Sequence, residues 1–598
     1  MYILGISAYF HDSAVALIHK GKIIAAAEEE RFSRLKHDSG FPHKALDFVM
    51  EFAGITASDI SAVVYYEKPF LKFDRLLEAT FSIAPRGFSF FKDSFPTWLK
   101  DKLFLKQTLK KELRTHKFHN PSLQFSEHHL SHAASAFYPS PFKTAAILCL
   151  DGVGEWTTTS LWRANSDGME LIEEQVFPHS LGLFYSAFTA YCGFKVNSDE
   201  YKVMGLAPYG QNHYTEVLKK HFIEIKDDGS FRLNMDLFDF MKKSSMLNFK
   251  QASKLLGFPP RVNGSSIEDC YCDLAASVQR ITEEIVLKLA TSLREKTGEE
   301  NLCLAGGVAL NCVANGLISD SKIFKNIWIQ PAAGDSGGAL GAAFSAYYLK
   351  DFLRKKTEFS DTQNGSLLGP SFSSSAIKDL LREQGRSYQE FESQSELFEK
   401  VCQLLAAGHI GGLFQGRMEY GPRALGSRSI IADPRMPDGQ RKINLSIKFR
   451  ESFRPFAPAV LKEAISDYFE VQNMSPYMLI VARLKEHLRH NQNEIEGARG
   501  LAKQKILTSD LPAIIHVDYS ARLQTLDEEI HPYFTKLVKA FYDKTGCPAL
   551  VNTSFNINGE PIVCKPSEAL TCFDKTGLSF LVLENCLIIK EDKGGFSK

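Results

Sequence analysis

Residues 2–27 and 144–176 follow the same plan, and that internal echo restricts the fold of this chain more than its composition does. In the first copy an apolar strand over residues 2–8 runs into Phe10-His11-Asp12-Ser13. A second strand follows over 14–18, and the turn His19-Lys20-Gly21-Lys22 leads to a third over 23–27. In the second copy a strand over 144–150 ends in Asp151-Gly152-Val153-Gly154. Strands over 157–162 and 169–176 then flank the turn Asn165-Ser166-Asp167-Gly168. Two copies of strand, acidic turn, strand, turn, strand predict a duplicated lobe. Each acidic turn would sit at the mouth of a cleft, where backbone N–H groups face a phosphate or a metal. The competing reading is a pair of ordinary β-meanders in unrelated domains. The duplicated grammar is that of an α/β fold.

At 598 residues the chain has room for two to four domains with their own cores. Residues 68–119 and 227–260 read as insertions, the first helical. Residues 267–296 carry apolar side chains at helical spacing and stop at Thr297-Gly298, a helix end. A strand over 302–305, a Gly306-Gly307 turn and a helix from Val308 onward follow. Residues 355–375, rich in Ser, Thr, Asn, Gly and Pro, are the expected linker between a first domain over 1–354 and a second over 376–598. Lys plus Arg (70) balance Asp plus Glu (70), so no overall field draws the chain to nucleic acid or an anionic membrane. No apolar run approaches the roughly 18 residues of a membrane span, and nothing resembles a signal peptide. The 11 cysteines are scattered with no C-x-x-C pair, which fits reduced thiols and a cytoplasmic protein.

Four segments carry the chemistry. In Glu127-His128-His129-Leu130-Ser131-His132 the i,i+4 spacing of His128 and His132 lets two imidazoles on one helical face reach one cation. With Asp151 and the Asp335 of Gly334-Asp335-Ser336-Gly337-Gly338 they make a mixed N/O set suited to Fe(II), Mn(II) or Zn(II). The turn Gly306-Gly307, with Asn311 beyond it, allows close backbone approach and an anion or nucleoside phosphate at a helix start. In the last third, Arg417, Arg423 and Arg428 lie among glycines, and Lys448, Arg450 and Arg454 lie close together. These are cations suited to phosphate. Polar turns around Arg522 and Asn552 would complete an anhydride- or nucleotide-binding pocket. Cys312, beside the glycine turn, reads as a small buried thiol rather than a nucleophile. The P-loop and serine-hydrolase elbow signatures are missing.

Taken together these segments resemble the O-carbamoyltransferases of nodulation-factor synthesis and antibiotic tailoring, nearly end to end. The carriers are Gly5-Ile6-Ser7-Ala8-Tyr9-Phe10-His11-Asp12, Glu28-Glu29-Glu30-Arg31-Phe32-Ser33-Arg34-Leu35-Lys36-His37, the His128/His132 element and Tyr201-Lys202-Val203-Met204-Gly205-Leu206-Ala207-Pro208. Gly306 to Asn311, Gly421-Pro422-Arg423-Ala424-Leu425-Gly426 and Arg454-Pro455-Phe456-Ala457-Pro458 complete the set. The resemblance implies duplicated actin-like (ASKHA) lobes joined to a YrdC-like α/β domain. It also implies two separate pockets. In one, carbamoyl phosphate and ATP, with Mg2+, become carbamoyladenylate. In the other, a metal, usually iron, holds that intermediate while an acceptor hydroxyl attacks. His128, His132, Asp151 and Asp335 become the metal ligands. His11 becomes a neutral general base, with Asp12 orienting groups in the same turn. Lys36 touches the adenylate, Gly306, Gly307 and Asn311 hold the nucleoside, and Arg423, Lys448, Arg454, Arg522 and Asn552 hold phosphates. The implied acceptor is a small-molecule natural product or sugar, with no nucleic-acid or membrane partner; a homodimer is compatible. A threonylcarbamoyl-type transferase acting on tRNA and a non-transferring actin-like ATPase switch are the alternatives.

Overall fold

The computed structural model describes residues 1–84, 92, 103–243, 245–350 and 354–590. Strands β1 (Tyr2–Ser7), β2 (Ala14–His19), β3 (Lys22–Glu28), β4 (Ile60–Tyr65) and β5 (Leu123–Phe125) form one sheet in the order β3-β2-β1-β4-β5. β6 (Ala145–Leu150), β7 (Thr157–Asn165), β8 (Gly168–Val176), β11 (Asn301–Ala305) and β12 (Asn326–Ile329) form another, ordered β8-β7-β6-β11-β12. In each, three strands meander antiparallel, and the first of them pairs in parallel with the fourth on its other edge. The fourth then pairs in parallel with the fifth. The expected duplication therefore holds at the level of strand order and direction, and the fold is mixed α/β. β6 is buried along its whole length and reads as an unbroken apolar run because both faces are covered.

The helix Asp335–Leu349 runs between β1, β2 and the helix His128–Phe137. Its small residues make that possible. A Cβ on Gly341 would lie 1.7 Å from the Ser131 carbonyl oxygen, and one on Gly5 of β1 would lie 1.8 Å from that of Ala339. Three elements thus meet at backbone distance, and two of them carry the expected metal ligands.

Other expectations meet mixed outcomes. The long helix Asp269–Thr297 ends at Gly298 in the left-handed region (φ 69°), where glycine carries no Cβ penalty. The helix expected from Val308 begins later. Gly307–Leu310 is a single 3₁₀ turn, and the helix Cys312–Ser321 starts where the Asn311 side chain accepts from the Ala314 N–H. The described part of the first insertion is helical, Pro69–Ser82 and Leu105–Thr115, while 85–91 and 93–102 lie outside the described residues. The second insertion holds β10 (Phe231–Leu233), paired with β9 (Ile223–Ile225), and the helix Phe249–Leu256.

The stretch read as a linker is a packed strap. Lys356, Gln363, Ser366 and Leu368 are buried. The Lys356 ammonium donates to the Phe137, Ser140 and Phe142 carbonyls at 2.9, 2.8 and 2.9 Å, capping the C-terminal end of the His128 helix. Ala26 of β3 donates to the Leu368 carbonyl, and Gly369 to that of Met418, so the strap bonds to both halves. Polar composition misleads here because several of the polar groups, Lys356 above all, are satisfied by protein rather than water.

Beyond it a sheet of β13 (Gln389–Glu390), β14 (Gly411–Phe414), β15 (Arg428–Ala432), β16 (Ala457–Leu461), β17 (Phe469–Glu470), β18 (Ile480–Leu484), β19 (Ser520–Leu526), β20 (Ala549–Ser554), β21 (Phe580–Leu583) and β22 (Cys586–Ile589) is ordered β13-β22-β21-β14-β15-β20-β16-β19-β18-β17. It has its own apolar core, yet Tyr420, Leu425, Phe453 and Tyr477 pack into the core of the first half. Gly421 joins the halves by polar bonds: its N–H donates to Glu28 at 2.8 Å, and its carbonyl accepts from buried Arg31 at 2.7 Å.

Gly341→Ala should separate the two central helices and lower stability by about 3 kcal/mol, as overpacking against backbone does. Denaturant midpoints of variant and parent measure this; an unchanged midpoint would mean the helices are not held at backbone distance.

Candidate active site

His128 and His132, one turn apart on the same helix, put their Nε2 atoms 3.0 Å from each other. Asp151, at the end of β6, places Oδ2 3.1 Å from His128 Nε2 and 3.9 Å from His132 Nε2. Asp335, the first residue of its helix, places Oδ1 3.7 and 3.8 Å from the same two atoms. The four ligand atoms lie within 4.8 Å of one another, and all four residues are buried. The Gly307 N–H donates to the other Asp151 oxygen at 2.9 Å, and the Tyr66 hydroxyl to the other Asp335 oxygen at 3.3 Å, leaving one oxygen of each facing the imidazoles. His129, the alternative to His128, instead bonds Ser160 at 2.7 Å. Glu155, unremarked in the sequence, accepts the His128 N–H and fixes the start of the helix.

Burial and bonding test whether this set suits a cation. Burial opposes charge on His128, but its bond to Asp151 and the Asp335 carboxylate outweigh that and push it up to about 9. Burial and the neighbouring His128 push His132 down to about 4. The Nδ1 atoms of both rings are buried without a hydrogen bond. Two carboxylates and two imidazoles converging in a buried site fit a divalent ion. The donor set does not distinguish iron from manganese or zinc.

His11 Nδ1 lies 3.0 Å from Asp12 Oδ2, and the other Asp12 oxygen lies 2.8 Å from His37 Nδ1. With no cation in the cluster, the acidic neighbours favour the protonated form of the base expected to be neutral. Burial works against its charge, but Asp335, the bond to Asp12 and the Asp12 and Asp151 carboxylates push His11 up to about 9. A cation on Asp151 and Asp335 would remove much of that cause.

The glycine turn has a structural job beside the nucleoside contact expected of it. Gly306 (φ 90°) lets the chain pass the end of β6, where a Cβ would sit 2.2 Å from the Leu150 carbonyl oxygen. Gly307 holds Asp151. The Asn311 amide is committed to the helix cap and to a reciprocal pair with Gln279 at 3.0 and 3.1 Å, so little of it is left for a nucleoside.

A cavity of about 560 Å³ joins the two halves. His11, Asp12, exposed Lys36, Asp151, Gly307 and Asn311 line it from one side, and Arg423, Lys448, Arg454, Arg522 and Asn552 from the other. The two pockets expected as separate are thus ends of one space. Burial, with Arg522 beside it, pushes Arg423 down to about 9, and burial pushes Arg522 down as well. Arg454 lies 4.6 Å over the Tyr201 ring. The Asn552 NH2 bonds Gln524 and the Ala424 carbonyl, while its buried Oδ1 makes no hydrogen bond.

Lys448 does not fit its expected role. Its ammonium bonds Ser554 O and Oγ and Asn556 O and Oδ1 at 2.6, 3.1, 3.1 and 2.7 Å, which saturates its donors and ties down the loop after β20. Arg417 and Arg428 likewise bond main-chain carbonyls, leaving Arg423 as the arginine of that motif on the cavity. Arg450, seen in the cationic run but not assigned a site, lines the cavity with its Nε bonded to Asn444 at 2.6 Å.

Comparison with known proteins bears on this architecture. The family model described as carbamoyltransferase N-terminus matches residues 2–344, and that described as carbamoyltransferase C-terminus matches 402–590. An uncharacterized protein of Synechocystis is 51% identical, covering 98% of this chain and 97% of that one. Nodulation protein NolNO of Sinorhizobium fredii is 36% identical over 98% of this chain and 80% of its own. The 3'-hydroxymethylcephem-O-carbamoyltransferase of Amycolatopsis lactamdurans is 29% identical over 53% of this chain and 54% of its own.

His132→Ala should weaken divalent-metal binding by at least about 100-fold, since it removes a direct donor. His129→Ala should leave it unchanged. Competition against a chromophoric chelator reads both, and equal losses would break the assignment of the cluster.

Proposed function

The chain belongs to the carbamoyltransferase family, and we propose that it makes carbamoyladenylate from carbamoyl phosphate and ATP and passes the carbamoyl group to a hydroxyl of a small-molecule acceptor. The observation that carries this reading is the single cavity running from a group of guanidiniums to a metal-type cluster. An activated carbamoyl anhydride hydrolyses in water, so its makers and users are best joined by an enclosed route.

At the cationic end, Arg423, Arg450, Arg454 and Arg522 hold carbamoyl phosphate and the ATP phosphates, ATP arriving with Mg2+. They stabilise the charge that develops as carbamoyl phosphate gives up its phosphate to water and as the resulting carbamate oxygen bonds to the ATP α-phosphorus, expelling pyrophosphate. Lys448 acts indirectly by holding the loop at Ser554 and Asn556. At the other end, Asp12 accepts from the His11 ring and fixes its orientation. His11 takes the acceptor's hydroxyl proton as the new C–O bond forms and AMP departs. The buried His128, His132, Asp151 and Asp335 would hold a divalent metal, iron by family resemblance, which supplies Lewis-acid stabilisation of negative charge on the intermediate. The family resemblance extends the reading to actin-like lobes and a YrdC-like second domain. The Amycolatopsis relative's name, an O-carbamoyltransferase, supports oxygen as the acceptor atom. A sugar or natural product in the cytoplasm remains the acceptor we favour.

The test separates the half-reactions. Arg454→Ala should cut carbamoyl phosphate-dependent pyrophosphate release by about 100-fold or more, as loss of a transition-state charge partner does. It should keep transfer from pre-made carbamoyladenylate. His132→Ala should do the opposite. Equal loss of both steps in both variants, or no carbamoyl phosphate-dependent consumption of ATP by the parent, would overturn the reading.

A further inference from the structure

His43 opens the helix His43–Ala53, and His116 directly follows the helix Leu105–Thr115, near the end of the first insertion. Each histidine has a carboxylate one helical turn away. Asp47 comes four residues after His43, and Glu112 four residues before His116. Where the two helices meet, the pairing crosses over. Asp47 Oδ1 lies 2.8 Å from His116 Nδ1, and Glu112 Oε2 lies 3.4 Å from His43 Nε2. The remaining ring nitrogens, His43 Nδ1 and His116 Nε2, face each other at 2.8 Å. A carboxylate only accepts, so each one favours the N–H of its ring on the outer nitrogen. A neutral imidazole has a single N–H, which leaves a lone pair on each inner nitrogen. Two lone pairs so close repel unless a cation, proton or metal, lies between them. A proton would offset one of the two carboxylate charges, whereas a divalent ion offsets both.

We propose that His43 and His116 form a second metal site, other than the buried cluster, that takes a divalent cation of the Zn(II) type with water completing its shell. Imidazole suits such ions, and a carboxylate on the far nitrogen is the usual partner of a metal-bound histidine. The spacing is close to what an ion needs. Zn–N bonds of about 2.1 Å at a tetrahedral angle set the nitrogens roughly 3.3 Å apart, and His128 and His132 stand at 3.0 Å in the buried cluster. The His43 side chain is 44% exposed, so its ring can turn outward by that margin and water can reach the ion. Buried Phe41 backs both rings, with centroids at 4.9 and 6.2 Å. The segment leading into His43 is bonded to the His11 turn, Tyr9 N–H donating to Ser39 O at 2.9 Å and Ser13 N–H to Asp38 O at 3.0 Å. The ion therefore fastens the first insertion beside that turn.

Full-length protein carrying His132→Ala, which breaks the buried cluster, is stripped with chelator and titrated with zinc chloride in competition with a chromophoric chelator. It should still bind one zinc per chain and melt at a higher temperature with zinc than without. Adding His43→Ala or His116→Ala should weaken that binding by at least about 100-fold, since each removes a direct donor, and should erase the gain in melting temperature. Asp47→Asn, which keeps the side chain's size and so guards against a folding defect, should weaken it about tenfold. In the chain with His132 intact the same substitutions should each remove one zinc equivalent. Zinc binding and melting indifferent to both His43→Ala and Asp47→Asn would mean that the two nitrogens share a proton, and the proposal falls. Because the readout is zinc bound with the buried cluster already broken, failure of the carbamoyl-transfer reading would leave this result untouched.

Discussion

Everything at the metal-type cluster depends on how closely the helix Asp335–Leu349 can approach its neighbours. Gly5, Gly338 and Gly341 remove the Cβ atoms that would otherwise meet the Ala339 carbonyl, the Tyr66 ring and the Ser131 carbonyl. With backbones in contact, side chains as short as Asp and His on separate elements can converge to within 4.8 Å. A longer separation would call for longer side chains, whose greater rotamer freedom would have to be frozen at greater entropic cost. The small-residue helix is a geometric device before it is a chemical one.

The second constraint is electrostatic. One end of the cavity gathers the Asp151 and Asp335 carboxylates around two imidazoles. At the other, of Arg423, Arg450, Arg454 and Arg522, only Arg454 has a carboxylate within ion-pair distance among the described residues, Glu451 at 3.7 Å. Burial amplifies both imbalances, since charge in a low-dielectric interior is costly unless paired. The shifts follow: His11 is pushed up to about 9 by acidic neighbours, and Arg423 down to about 9 by burial and Arg522. Such sites have low stability when empty and high affinity for ligands of the missing sign. A divalent cation and phosphates, the ligands of the proposed reaction, would relieve these two imbalances.

The halves are not beads on a string. Glu28 and Arg31 of the first half both bind Gly421, two residues before Arg423, and Tyr420 donates to the Ser336 carbonyl beside Asp335. The loop that presents a cation at one end of the cavity thus touches the helix that presents a ligand at the other. The buried strap with Lys356 adds a further tie, reaching the C-terminal end of the histidine helix. Neither end can move far without the other.

Much of this was legible in the sequence. Strand–turn–strand repetition predicted two lobes of matching topology, because alternation and turn residues act locally and survive any tertiary context. Spacing paired His128 with His132, since four residues make nearly one helical turn. Which cations keep donors free for the cavity was not legible. Arg417, Arg428 and Lys448 look like Arg423 and Arg454 in sequence, but the carbonyls that absorb them come from distant segments. The same holds for Asn311, spent on a helix cap and Gln279, and for a linker whose polar atoms are bonded inward. Sequence alone determined the repeated architecture and the stock of reactive groups. Only the tertiary structure decided which of them remain uncompensated, because hydrogen-bond partners are assigned by proximity in space, and unsatisfied charge is what makes a binding site.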